Sequence, residues 1–368
     1  MKAAVYFTNL RTSAKKNLSQ KISELLDAAG MKESIPPGAL VAVKVHFGEK
    51  GNTAFIRPHL LRDIIEKIAA CNAKPFLTDA NTLYRGERTD AVSHLLLARR
   101  HGFSESVTGA PVIIADGLRG LDAVAVPVNG KHFSTVSIAA AVHHADSYIS
   151  IAHVKGHELT GFGGALKNTG MGCASRDGKM KQHCGIAPRI ERKMCIGCGT
   201  CAEHCPAAAI VLEQKKALIH GAKCIGCASC ILVCPREAVK IRWDEDANRF
   251  MEKMIEYTVG VLTPKKGKTF FINFLTDISP ACDCYGHADF PIVPDIGILA
   301  SKDPVAVDQA SVDCINACKG LEASTLKSHH EPGQDKFRGL YPQINWEHQL
   351  EYAVRLGLGT RDYRMIEV

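Results

Sequence analysis

Two short cysteine runs constrain this 368-residue chain more than anything else in it. The first reads Cys195-Ile-Gly-Cys198-Gly-Thr-Cys201-Ala-Glu-His-Cys205-Pro206, and the second reads Cys224-Ile-Gly-Cys227-Ala-Ser-Cys230-Ile-Leu-Val-Cys234-Pro235. Both follow the pattern C-x2-C-x2-C-x3-C-P. Three closely spaced thiolates suit three corners of an iron–sulfur cube, and the fourth, held off before the proline, reaches the neighbouring cube. Zinc usually draws its four ligands from separated pairs, not from a compact run of four repeated twice. Eight disulfide-bonded cysteines would need a secreted setting, and the N-terminal apolar run is too short for a signal peptide.

The runs also form an internal repeat. Ile-Gly follows the first cysteine of each, and a short strand-like run follows each proline, at 209–212 and 238–243. Residues 190–243 thus resemble a bacterial two-cluster ferredoxin. Two 4Fe-4S clusters are expected. Cys195, Cys198, Cys201 and Cys234 would hold one, and Cys224, Cys227, Cys230 and Cys205 the other.

Fifteen cysteines without a visible secretory signal point to a reducing, oxygen-poor cytoplasmic setting. No apolar stretch approaches the length of a membrane span. The formal charge of +7 is scattered, with no basic stripe interleaved with aromatics, so nucleic acid is not an expected partner.

On both sides of the cysteine runs the pattern is that of an α/β protein. Strands are predicted at 2–8, 39–47, 75–79, 112–115, 124–128 and 147–154, and helices at 13–29, 59–71, 89–101 and 137–145. Beyond the runs, helices are predicted at 244–261, 303–318 and 346–356, with strands at 268–275 and 296–300 and a charged tail. Near-continuous apolar strands suit a sheet covered on both faces. The expected fold is a layered α/β domain with a largely parallel sheet, assembled from residues 1–189 and 244–368. A small α+β two-cluster ferredoxin-like insertion at 190–243 interrupts it.

Three polar segments leave predicted strands, where open α/β sheets bind ligands. The densest, from His153 to Cys184, holds Lys155, His157, Gly161, Gly163, Gly164, Lys167, Asn168, Cys173, Lys179 and His183. Its glycines permit close backbone approach, and exposed amides there could form an anion nest. It matches neither a Walker A loop nor the dinucleotide fingerprint. A second segment carries Cys282, Asp283, Cys284, His287 and Asp289. This set could hold a third metal, while a polar turn or a reversible disulfide are the alternatives. The third, Lys44 to Thr53, has glycines and cations that could bind a small anionic substrate or a nucleotide, with a solvated loop as the alternative, and Arg57, Tyr84, Arg85 and Arg88 are further candidates for contacting an anion. Cys314 and Cys318 share a helix face and Cys71 suits a core. Asp303 reads as an N-cap before Pro304.

Three stretches carry a wider resemblance: Thr78-Asp-Ala-Asn81-Thr-Leu-Tyr84, His157 to Lys167-Asn168, and Asp303-Pro304-Val-Ala-Val-Asp308. They resemble domain-of-unknown-function family 362, whose members often contain such an inserted ferredoxin module. A more distant similarity links His157-Glu-Leu-Thr-Gly-Phe-Gly-Gly-Ala-Leu-Lys167, with His183, to nickel-pincer lactate racemases. That resemblance implies that Lys167 tethers the cofactor, His183 ligates nickel and His157 performs acid/base work. The sequence departs from it at Asn168-Thr-Gly170, where the racemases have Pro-Gly, and in carrying Cys173 and a redox module.

The leading expectation is an iron–sulfur oxidoreductase. Its clusters would take electrons from a partner such as a ferredoxin or reductase and pass them to a site of His157, Lys167 and His183, with Gly161, Gly163, Gly164 and Asn168 binding the ligand. The alternatives are an electron carrier or metallocofactor-assembly accessory, and a racemase-like nickel enzyme with structural clusters.

Overall fold

The computed structural model describes residues 2–184, 187–241 and 245–368. Its centre is a mostly parallel eight-stranded sheet: β1 (Ala3–Asn9), β2 (Leu40–Lys44), β3 (Lys74–Asp79), β4 (Val112–Ile114), β5 (Ser147–His153), β6 (Thr269–Leu275), β7 (Gly297–Ser301) and β8 (Tyr363–Glu367). The spatial order is β8-β1-β7-β6-β5-β2-β3-β4. Only β7 runs antiparallel to its neighbours β1 and β6. Strands from both sides of the cysteine runs therefore share one sheet, with β6 paired in parallel to β5.

The apolar runs explain the layering. All seven residues of β5 are buried, and alternate side chains serve opposite faces. Ile149 and Ile151, with Phe270, Ile272 and Phe274, join a core closed by helices Leu18–Ala28 and Leu61–Ala69. Tyr148, Phe271 and Leu275 join the other core, closed by helices Ala247–Leu262, Pro304–Ala317 and Glu347–Arg355.

Several expectations shift. The predicted helix at 13–29 starts only at Leu18, where Asn17 caps the Gln20 amide and Gln20 returns the bond. The predicted helix at 137–145 is instead a strand, Thr135–Ala139, followed by a single helical turn, Ala140–His144. That strand pairs antiparallel with Ala123–Pro127, so the strand predicted at 124–128 belongs to a separate hairpin. β-branched Thr135, Val136 and Ile138 favour that pairing over a helix. The charged tail is an edge strand, β8, parallel to β1. Asp303 does cap the helix that Pro304 opens.

The cysteine runs form a compact unit. Antiparallel pairs Ile210–Glu213/Lys216–Ile219 and Arg189–Ile190/Val239–Lys240 frame two short helices, Thr200–Glu203 and Ser229–Val233. Trp243 and Asp244, where the module was expected to end and the next helix to begin, lie outside the described residues. Leu83, Met180 and Cys184 from the larger body complete the module's small core. Among the described residues no helix is long and apolar enough to cross a membrane.

Candidate functional site

Four parallel strands, β2, β3, β5 and β6, deliver their following segments to one end of the sheet. There they line a cavity of about 920 Å³, where ligands bind in open α/β folds. Lys44 ends β2, Asp79 ends β3, Lys155 to Lys167 follow β5, and Cys282 to Gly286 follow β6.

Its floor is a buried ionic network. Lys44 meets Asp79 at 3.0 Å and donates to Asn168 Oδ1 at 2.9 Å. Asn168 returns bonds to the Lys44 carbonyl (3.2 Å) and Ser150 Oγ (2.8 Å). Arg88 reaches Glu49 (3.2 Å) and Asp79 (3.5 Å), and donates to the Tyr84 hydroxyl (2.8 Å). Tyr84 in turn donates to the Cys284 carbonyl at 3.1 Å.

The expected trio comes together here. His157, Lys167 and His183 all line the cavity. Both imidazoles pack against Phe250, with ring centroids 6.5 Å and 4.7 Å away. Burial, reinforced by the charge of Lys167, holds His157 well below the usual imidazole range and brings His183 down to about 3. Both are therefore neutral at pH 7. Burial pulls the Lys167 ammonium down, yet the negative charge of the Cys282–Cys284 pair, with that of Glu158, outweighs it and holds the group above its ordinary value. Its Nζ lies 3.5 Å from Cys282 Sγ.

The Cys282 sulfur also accepts the Cys284 backbone N–H at 3.4 Å. The Cys284 thiol's hydrogen bond, with the charges of Lys167 and Lys155, holds Cys282 well below the usual thiol range despite burial. The same bond raises Cys284, which stays a thiol. Asp283 points elsewhere, to His153 Nδ1 (2.8 Å) and Lys155 (3.0 Å). His287 and Asp289 are exposed. The thiolate–carboxylate–imidazole set expected for a third metal is thus drawn apart, and an ammonium sits beside its sulfur. Among the described residues, no three His, Cys, Asp or Glu side chains gather as they would around a single metal ion.

The glycines divide. Gly163 and Gly164 line the cavity, whereas Gly161 (φ +72°) is pressed against Trp346. The stretch is not an open loop. It forms a hairpin, Lys155–His157 with Gly161–Gly163, and then helix Ala165–Gly170. The amides expected to make an anion nest are already taken, because Asp308 accepts from Ala165 N (2.7 Å) and Leu166 N (3.0 Å). A side chain at Gly164 would put its Cβ 2.3 Å from that carboxylate.

Cys173 lies in the core against the Tyr148 hydroxyl, its thiol pushed up to about 11 by burial. Cys184 packs into the module's core. Arg57 pairs with Asp277 away from the cavity. Tyr84, Arg85 and Arg88 line it, as do Lys44, His46, Glu49 and Lys50. Sequence reasoning missed Phe250, which reads only as one more apolar residue of a helix. In all, seven Lys and Arg side chains face four Asp and Glu around this cavity, a balance that attracts anions.

In the module, one small cavity is lined by Cys195, Cys198, Cys201 and Cys234, and a second by Cys205, Cys224, Cys227 and Cys230. The two halves repeat in detail. Ala209 N–H donates to Cys205 Sγ at 3.3 Å, and Ala238 N–H donates to Cys234 Sγ at 3.2 Å. These contacts follow equivalent left-handed residues, Ala208 (φ +46°) and Glu237 (φ +50°). Four sulfurs around each cavity, with backbone donors aimed at them, fit a cubic iron–sulfur cluster. Arg85 joins the two sites. It lines the large cavity while its guanidinium donates to the carbonyls of Cys234 and Leu232, the latter at 3.0 Å.

Residues 41–313 match the family model described as domain of unknown function (DUF362). The chain belongs to that family. The DUF362 match runs from β2 to helix Pro304–Ala317 and so takes in the cavity and the module. No curated protein matches the chain. Among solved structures it is similar to the lactate racemase apoprotein of Thermoanaerobacterium thermosaccharolyticum, with 13% identity and a TM-score of 0.39, over 75% of this chain and 51% of that one. It is also similar to a Thermotoga maritima protein, with 10% identity and a TM-score of 0.40, over 94% and 61%. The chain thus spans less than two thirds of the length of either.

Proposed function

We propose that this chain is an iron–sulfur oxidoreductase that works on a small anionic substrate held in the large cavity. The observation that carries the reading is the pair of four-cysteine cavities, tied to the large cavity through Arg85. Bound there, two 4Fe-4S clusters would supply electrons one at a time. A ferredoxin or a reductase is the fitting class of redox partner.

The chain's own residues would do the rest. The excess of cations around the cavity draws in the anion. Neutral His157 and His183 are placed to take up or deliver a proton, and Lys167 to hold negative charge. A second reading, proton transfer without net electrons, is favoured by those two neutral imidazoles beside one apolar ring. The clusters would then be structural.

Protein purified without oxygen should contain about eight irons per chain. Its reduced clusters should be reoxidised on addition of members of a panel of small anionic metabolites, and His157→Ala or Lys167→Met should slow that reoxidation about a hundredfold. Iron absent after anaerobic reconstitution would sink the redox reading. Full iron, with exchange of a substrate C–H proton for deuterium but no cluster reoxidation, would favour the second.

A further inference from the structure

Cys282 and Cys284 alternate with Asp283 in a turn closed by the Tyr285 N–H on the Cys282 carbonyl, 3.1 Å. Asp283 is anchored beneath by His153 and Lys155. Its neighbours on either side therefore both line the cavity. Neither is bridged to another cysteine, and the Cys284 backbone N–H donates to the Cys282 sulfur at 3.4 Å. A sulfur that accepts both a backbone amide and the Lys167 ammonium is built as the attacking partner. The thiol beside it is built as the resolving partner.

We propose that Cys282 and Cys284 are a redox-active dithiol that carries an electron pair into the cavity, with a small anionic disulfide as its oxidant. The Cys282 thiolate attacks one sulfur of the disulfide, forming a mixed disulfide and expelling the other half as thiolate. Cys284 then loses its proton and attacks the Cys282 sulfur. That closes the Cys282–Cys284 disulfide and releases the second half as thiol. Two electrons and one proton restore the thiolate and the thiol. The electrons come singly from the two clusters, so this return step, though not the thiol exchange, rests on the function proposed above.

The test uses anaerobically purified full-length protein and oxidised glutathione, an anionic disulfide, with diamide as a second, smaller oxidant. Free thiols are then alkylated and cysteine peptides are mapped by mass spectrometry. The expected result is two glutathiones released per chain and a Cys282–Cys284 disulfide, formed by diamide as well. Cys284→Ser should stop at one glutathione on Cys282, and Cys282→Ser should release at least tenfold less. Both cysteines still alkylated after both oxidants, or undiminished release from Cys282→Ser, would overturn the dithiol. Iron content and cluster absorbance are read on the same samples, so a chain without clusters is recognised while its thiol exchange is still scored. With clusters present and reduced, each disulfide should draw two electrons from them. Clusters that stay reduced beside a persisting disulfide would overturn the relay.

Discussion

Four histidines, the buried His94 and His157 and the half-buried His46 and His183, are held below the ordinary imidazole range chiefly by desolvation, His94 and His183 to about 3. Above pH 6.5 neither the folded nor the unfolded chain binds these protons. Below it the unfolded chain takes them up and the folded chain does not, so stability falls with pH. Each contributes about 1.4 kcal/mol per pH unit once the unfolded imidazole is fully charged. Asp308 works the other way. Burial raises its carboxyl to about 6, against the opposing bonds from Leu166, Asn273 and Ala165, so its contribution grows as pH falls from about 6 towards 4. Urea unfolding between pH 6.5 and 5 should show a net loss approaching about three protons' worth, or roughly 4 kcal/mol per unit at its steepest. Stability that is level across that range would contradict the neutral state of these histidines. At this scale the sequence was informative about chemistry and silent about neighbours. His157, Lys167, His183, Cys282 and Cys284 stood out because such residues follow strands. That Phe250 would pack against both imidazoles depended on how a distant helix packs, and no local spacing encodes that.

A carboxylate from one helix finishes another. Asp308 sits inside Pro304–Ala317, yet it occupies the first amides of Ala165–Gly170 and takes a bond from Asn273 Nδ2 at 2.8 Å. Asp308→Ala would leave those buried donors without an acceptor and should cost about 3 kcal/mol. It should also loosen Lys167, two residues into the helix those amides begin. Chemical denaturation checks the first effect, and the rate of Cys282 alkylation at pH 7 checks the second. Neither bond was readable in advance, since a glycine-rich run looks the same whether its amides meet a ligand or a protein side chain. Elements with strong local signals fared better. The Asp303-Pro304 start and the apolar strands around Ile149 and Phe271 were legible, because capping and burial on both faces leave marks within a few residues. Thr135–Ala139 did not read as a strand, because its partner, Ala123–Pro127, decides its conformation.

The whole molecule places its chemistry at one end of a sheet whose strands come from both sides of the cysteine module. Alternation of strand and helix made the α/β class and the largely parallel sheet legible. The antiparallel course of β7 and the edge position of β8 are matters of long-range pairing. Arg85 then has a consequence for energetics. One guanidinium spans the wall of the anion-drawing cavity and the carbonyl of Cys234. An anion bound beside it withdraws part of its field from the neighbouring cysteines. On the proposed reading, the charge added by reduction competes with the anion for the same cation. Linkage makes such an effect reciprocal: whatever the ligand does to the reduction midpoint, reduction must do to the ligand's affinity. Phosphate, as a simple anionic probe, should bind more weakly to the reduced protein than to the oxidised, and Arg85→Gln should shrink the difference. Titrations at two poised potentials measure it, and equal affinities in both states would uncouple the two sites. The chain would then act as a gate whose appetite for its ligand is set by how many electrons it already holds.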